Sequence, residues 1–126
     1  MTSKTIYRSS EKTNAPLTGA IEARGLVFVS GQIHINDEMQ LVGNTIAEKF
    51  DTAIKNVKKI LSEAGLVLGD IVNVKLYLTD LTELKELNEV YGNYFEHPFP
   101  TRTAVEVGKL PLGADLEIDV IASRSK

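Results

Sequence analysis

From Leu116 to Ala122 every second residue is apolar: Leu116, Ile118, Val120 and Ala122, with Glu117, Asp119 and Ile121 between them. Side chains in a β-strand alternate between faces with period two. The pattern therefore predicts a strand with one face committed to a core, which partner strands and a covering layer must complete. The run before it starts at Phe99 and reads as a second strand across a Leu-Pro-Leu-Gly turn. There Arg102, Ala104 and Glu106 share one face, and Thr103, Val105 and Val107 the other. An arginine at a strand entrance, with acidic groups on an adjacent strand, makes a small polar site suited to a carboxylate.

The cover is found at residues 45–64, where Ile46, Phe50, Ala53, Ile54, Val57, Ile60, Leu61 and Ala64 recur at the helical period. Asn44 is the expected N-cap and Gly65 the expected C′ residue. Ile71–Thr79 alternates as a strand, with Val72, Val74, Leu76 and Leu78 on one face and Asn73, Lys75 and Tyr77 on the other. Asp80-Leu-Thr-Glu83 resembles a capping box. A second helix follows to about Phe95, stopped by His97-Pro98 and Phe99-Pro100. Leu26–Ser30 reads as a strand ended by Gly31, and residues 11–19 as a loop. The predicted order is strand, strand, strand, helix, strand, helix, strand, strand (βββαβαββ) in one domain spanning 1–126: an α+β sandwich with both helices on one sheet face. The other sheet face, with Asn73, Lys75, Tyr77, Glu117, Asp119 and Ile121, is mixed and reads as a subunit interface.

The net charge of −3 and pI near 5.4 argue against nucleic acid as the main partner. There is no cysteine, which removes disulfides, thiolate nucleophiles and Cys metal sites and fits a reducing, cytoplasmic setting. His34 and His97 read as surface or loop residues, so no metal site is expected. No leader peptide or membrane span is read from the sequence. Gly19, Gly25 and Gly31 form no nucleotide-binding pattern.

Five segments, in order, carry a family resemblance: Val-Phe-Val-Ser-Gly-Gln (27–32), Ala-Gly-Leu before Gly-Asp-Ile-Val (64–72), Leu-Tyr-Leu-Thr-Asp-Leu (76–81), Leu-Asn-Glu-Val-Tyr (87–91) and Phe-Pro-Thr-Arg-Thr-Ala-Val-Glu-Val (99–107). The chain resembles the RidA/YjgF family of imine and enamine deaminases over nearly its whole length. The resemblance implies a chorismate-mutase-like fold and a homotrimer with a central barrel and clefts between subunits. It implies hydrolysis of 2-iminobutanoate or 2-iminopropanoate to the 2-keto acid and ammonia, without a cofactor. It also implies a functional link to the pyridoxal-phosphate enzymes, such as threonine dehydratase, that release these intermediates.

By the same resemblance, Arg102 holds the substrate carboxylate, Ser30 and the Gly31 backbone line the cleft, Asn88 contributes from the second helix, and Glu117 positions or polarises water. Two positions depart from the pattern. Leu17 stands where active members usually carry tyrosine, and Ala104 where they carry cysteine, although the Ala104 amide remains able to contact ligand. Read from the residues alone, Arg102 equally suits a structural ion pair with a glutamate, Glu117 a solvated or lysine-paired surface carboxylate, Ser30 a plain strand-end serine and Asn88 an exposed helix residue. Leu17 keeps a second function open, a non-catalytic carboxylate-binding regulatory trimer on the same fold.

Overall fold

The computed structural model describes residues 4–9 and 16–124. Six strands, β1 (Thr5–Ser9), β2 (Thr18–Ala23), β3 (Leu26–Ile33), β4 (Ile71–Leu78), β5 (Thr101–Glu106) and β6 (Leu116–Ser123), form one sheet in the order β1-β2-β3-β6-β4-β5. Two helices, α1 (Ile46–Glu63) and α2 (Leu84–Tyr91), complete the predicted order. Of the loop expected at 11–19, residues 11–15 lie outside the described residues, and Thr18 and Gly19 already belong to β2.

The apolar stripe of α1 lies on the sheet face built by Val27, Val29, Val74, Leu76, Leu78, Leu116, Ile118, Val120 and Ala122, all buried. Phe50, fully buried, ties the second helix segment to the first: its ring lies 5.9 Å from Tyr91 and 5.1 Å, edge-on, from Tyr94. No described helix is long and apolar enough to cross a membrane.

Several local expectations are corrected. The N-cap of α1 is Thr45, one residue after Asn44, because Thr45 and Glu48 form a reciprocal capping box. Gly65 does hold the left-handed position after the helix, at φ +75°. Asp80 accepts from the Thr82 amide and opens a 3-10 turn at 81–83 instead of capping α2 directly. The second helix ends at Tyr91, short of Phe95. A bulge in β4 displaces Val72: Ile71 pairs with Ala122 and Asn73 with Ile121, so Ile71 is buried and Val72 is exposed.

Strand β3 does not end at Gly31 but runs on to Ile33, with a second bulge between Val29 and Gln32. Nor is His34 a surface residue. It is 2% exposed, its Nδ1 lying 2.9 Å from the Val42 carbonyl while its Nε2 accepts from the Asp115 amide. Since Nε2 accepts, Nδ1 carries the proton and donates. The imidazole thus joins the end of β3 to the start of β6.

The strand carrying Arg102 is also not next to the strand carrying Glu117. β5 pairs in parallel with β4 alone, and β4 separates it from β6. The Leu-Pro-Leu-Gly turn therefore closes no hairpin. Parallel strands need a crossover, and the segment containing α2 supplies it between β4 and β5.

A carboxylate clamp fastens the chain's C-terminal end to β2. Arg124 donates two hydrogen bonds to Glu22, and Tyr7 on β1 donates a third. These donors hold the Glu22 carboxyl down to about 2, the Arg124 bonds contributing most. A depressed carboxylate gives stability that is present above its unfolded value near 4.5 and is lost as pH falls towards 2. Between pH 5 and 2 the parent should therefore lose more thermal stability than Glu22→Gln, followed by circular dichroism. Parallel pH curves for the two proteins would show that the clamp contributes nothing.

Candidate active site

The residues singled out in the sequence gather into two groups on opposite faces of the sheet. The first lies on the helix side. Arg102 on β5 pairs with Val74, which in turn pairs with Val120, and both valines face the core. Paired residues share a face, so Arg102 projects to the helix side at the sheet's edge. Its guanidinium carbon sits 4.7 Å above the Tyr91 ring, and its Nη1 donates to the Asn88 side-chain oxygen at 2.8 Å. No carboxylate among the described residues pairs with Arg102. The structural ion pair is therefore not formed among the described residues, and the guanidinium keeps N–H donors for another acceptor. Asn88 contacts the arginine directly. Ala104, two residues on, is half-buried and packs against the core.

The second group lies on the open face. Glu117 pairs with Tyr77, and Lys75 with Asp119. Tyr77 donates to Asp119 at 2.8 Å, and burial first, then that bond, pushes its phenol up to about 12. Lys75 donates to the Asn73 side chain. Glu117 is partly buried, and no described side chain bonds or ion-pairs with it. Burial first, and the negative charge of Asp119 second, raise its carboxyl above the usual range. Neither a lysine pair nor a fully solvated glutamate describes it.

The β3 bulge consists of Ser30 and Gly31, which stand opposite Asp119 alone on β6. A Cβ built on Gly31 would lie 1.8 Å from a Glu117 carboxylate oxygen. Glycine at 31 leaves the carboxylate that space, and a side chain there would require Glu117 to take another rotamer. Ser30 donates its hydroxyl proton to the Thr18 carbonyl, so it can offer a ligand only an acceptor. Leu17, next to Thr18, is exposed.

Within one chain the two groups cannot meet. Val105 and Glu117 both pair with Tyr77, and Arg102 lies three residues before Val105. That spacing puts Arg102 and Glu117 roughly 10 Å apart along the strands and roughly 10 Å apart across them. Their side chains then point to opposite faces. This separation was invisible in the sequence, as was the contact between Tyr91 and Arg102. The only available signal for that contact was that Asn88 and Tyr91 stand three apart on one helix.

Among the described residues no three His, Asp or Glu side chains are grouped to hold a metal. The His97 ring lies 4.2 Å from the Phe99 ring, tilted 55° to it.

Residues 8–124 match a family model described as Endoribonuclease L-PSP. A RutC family protein of Aquifex aeolicus is 43% identical over 109 residues, covering 85% of this chain and 87% of that one. The Escherichia coli K12 protein named "Putative reactive intermediate deaminase TdcF" is 36% identical over 113 residues, covering 87% and 88%. Among solved structures, a Yersinia pestis protein of the conserved Rid family is 34% identical and superposes with a TM-score of 0.88, over 96% of this chain and 99% of that one. The six-stranded sheet with two helices is the fold of these neighbours.

Proposed function

The chain belongs to the RidA/YjgF family, and from that premise we propose that it is a deaminase of small 2-imino acids. The substrates are 2-iminobutanoate and 2-iminopropanoate, and the products are the 2-keto acids and ammonia. One observation carries this reading: a guanidinium without a carboxylate partner among the described residues, and a raised carboxylate with no partner among them either, stand ready on two faces of one chain. Two copies placed side by side bring Arg102, Asn88 and Ala104 of one against Ser30, Gly31, Leu17 and Glu117 of the next.

The exposed apolar side chains of the open face, Leu26, Phe28 and Val105, favour such an assembly. A closed trimer, with the three sheets around a central barrel, is the form this proposal takes.

In this site Arg102 binds the substrate carboxylate through parallel charged hydrogen bonds. The Ala104 amide lies alongside. Glu117 orients a water and accepts its proton as the water oxygen bonds to the imine carbon. The resulting carbinolamine collapses, the C–N bond breaks, and nitrogen leaves as ammonia while the keto group forms. The iminium carbon is already electrophilic, so holding the two reactants in attack geometry supplies much of the rate. No step calls for a cofactor. The natural sources of such imines are pyridoxal-phosphate eliminations of the threonine dehydratase type.

The test is direct. Freshly generated 2-iminobutanoate should yield 2-oxobutanoate and ammonia faster with the protein than in buffer. Binding of 2-oxobutanoate without any acceleration would instead favour the regulatory carboxylate-binding reading, for which the exposed Leu17 is the supporting feature.

A further inference from the structure

We propose that Tyr91 is a positioning residue for carboxylate binding, its ring the platform that fixes the Arg102 guanidinium. The inference rests on the carboxylate-anchor reading of Arg102 and adds a residue to it.

Arg102 is exposed on an edge strand, where a long side chain would otherwise sample many rotamers. Two contacts restrict it. Asn88 takes one N–H of Nη1, and the Tyr91 ring lies beneath the guanidinium carbon at 4.7 Å. That distance is within cation–π range. Asn88 and Tyr91 are three apart on α2, so a single helix face holds the group from two directions. Among the described residues Nε and Nη2 have no acceptor, and these form the side of the fork that a carboxylate takes with two parallel bonds.

The platform is itself immobile. The Tyr91 ring is 8% exposed and is wedged 4.8 Å from Phe95 and 5.9 Å from Phe50. Its hydroxyl is buried with no hydrogen-bond partner among the described residues. The contribution of this position is therefore its aromatic face and not a hydrogen bond. Burial pushes the phenol up, the nearby Arg102 charge opposing it, so the ring stays neutral and its face stays available to a cation.

The experiment measures binding of 2-oxobutanoate and of its uncharged amide, 2-oxobutanamide, by calorimetry on the assembled protein. Tyr91→Phe keeps the ring and should bind the keto acid within about twofold of the parent. Tyr91→Leu should weaken keto-acid binding about tenfold while leaving binding of the amide unchanged. A purely structural role for the ring would weaken both ligands together, and that result would overturn the proposal. So would parent-like keto-acid affinity in Tyr91→Leu. If Tyr91→Leu does not fold, pentafluorophenylalanine at position 91 decides. It fills the same volume with an electron-poor face, so it should weaken the keto acid selectively, and undiminished affinity would overturn the idea. Arg102→Ala in the same assay separates the two readings. Keto-acid binding lost in Arg102→Ala but kept in Tyr91→Leu rejects the platform alone. Keto-acid binding kept in Arg102→Ala rejects the anchor and the platform with it.

Discussion

Arg102→Ala should leave a folded protein that no longer turns over small 2-imino acids. The fold should survive because the side chain is exposed at the sheet's edge, where its guanidinium meets the Tyr91 ring and the Asn88 oxygen. No core cavity opens. The activity should not survive, because a lost charged hydrogen bond costs about 1.5–3 kcal/mol, which is about one to two decades in rate. Misplacing the imine relative to the attacking water adds to that loss. Arg102→Lys should rescue little, since an ammonium cannot reproduce the planar fork or lie flat on the Tyr91 ring. Steady-state kinetics with freshly generated 2-iminobutanoate decide the matter, and a parent-like rate for Arg102→Ala would remove the anchor role.

Glu117→Gln should exchange activity for stability. It should slow hydrolysis by about two decades or more, because an amide cannot accept the water's proton, a contribution of about that size in general base catalysis. It should keep 2-oxobutanoate binding, since the substituted side chain has the same length beneath Gly31. It should also stabilise the protein at neutral pH. Burial and Asp119 raise the folded-state value of this carboxyl above 4.5, so the stability associated with its protonated form is fully present below 4.5 and lost as pH rises through the raised value. Removing the charge restores that stability. The melting temperature of Glu117→Gln should therefore exceed the parent's at pH 7, and the gap should close towards pH 4. A variant that melts below its parent at pH 7 would show that burial and Asp119 do not destabilise the charged Glu117 carboxylate. Mixing Arg102→Ala with Glu117→Gln under exchanging conditions should restore part of the activity, because some clefts would then combine an intact half from each variant.

Period-two and helical patterns made the element order readable from the chain, because each element has one committed face. The alternation from Leu116 to Ala122 and the stripe from Ile46 to Ala64 depend only on local geometry. Bulges do not announce themselves in the same way. Val72 fits the alternation yet is exposed, and Gly31 looked like a strand end when it is the centre of a bulge. Pairing order is also non-local. A Pro-Leu-Gly turn between two strand-like runs suggests a hairpin, and only the assembled sheet shows β4 between them. His34 was misplaced because a buried imidazole bonded to two backbone groups leaves no periodic mark. Ser30, Gly31 and Asn88 stand out by motif resemblance alone, and Arg102 and Glu117 by strand pattern and resemblance together; neither signal says that these residues occupy two faces.

The near-collision of position 31 with the Glu117 carboxylate makes these two sites a single unit of variation. A methyl group at position 31 would force the Glu117 carboxylate into another rotamer, and a shorter residue at 117 forfeits the carboxylate's reach. The residue at 31 therefore sets where the acid stands, so a lineage or a designer could re-aim the carboxylate by a change on the neighbouring strand without touching the acid itself.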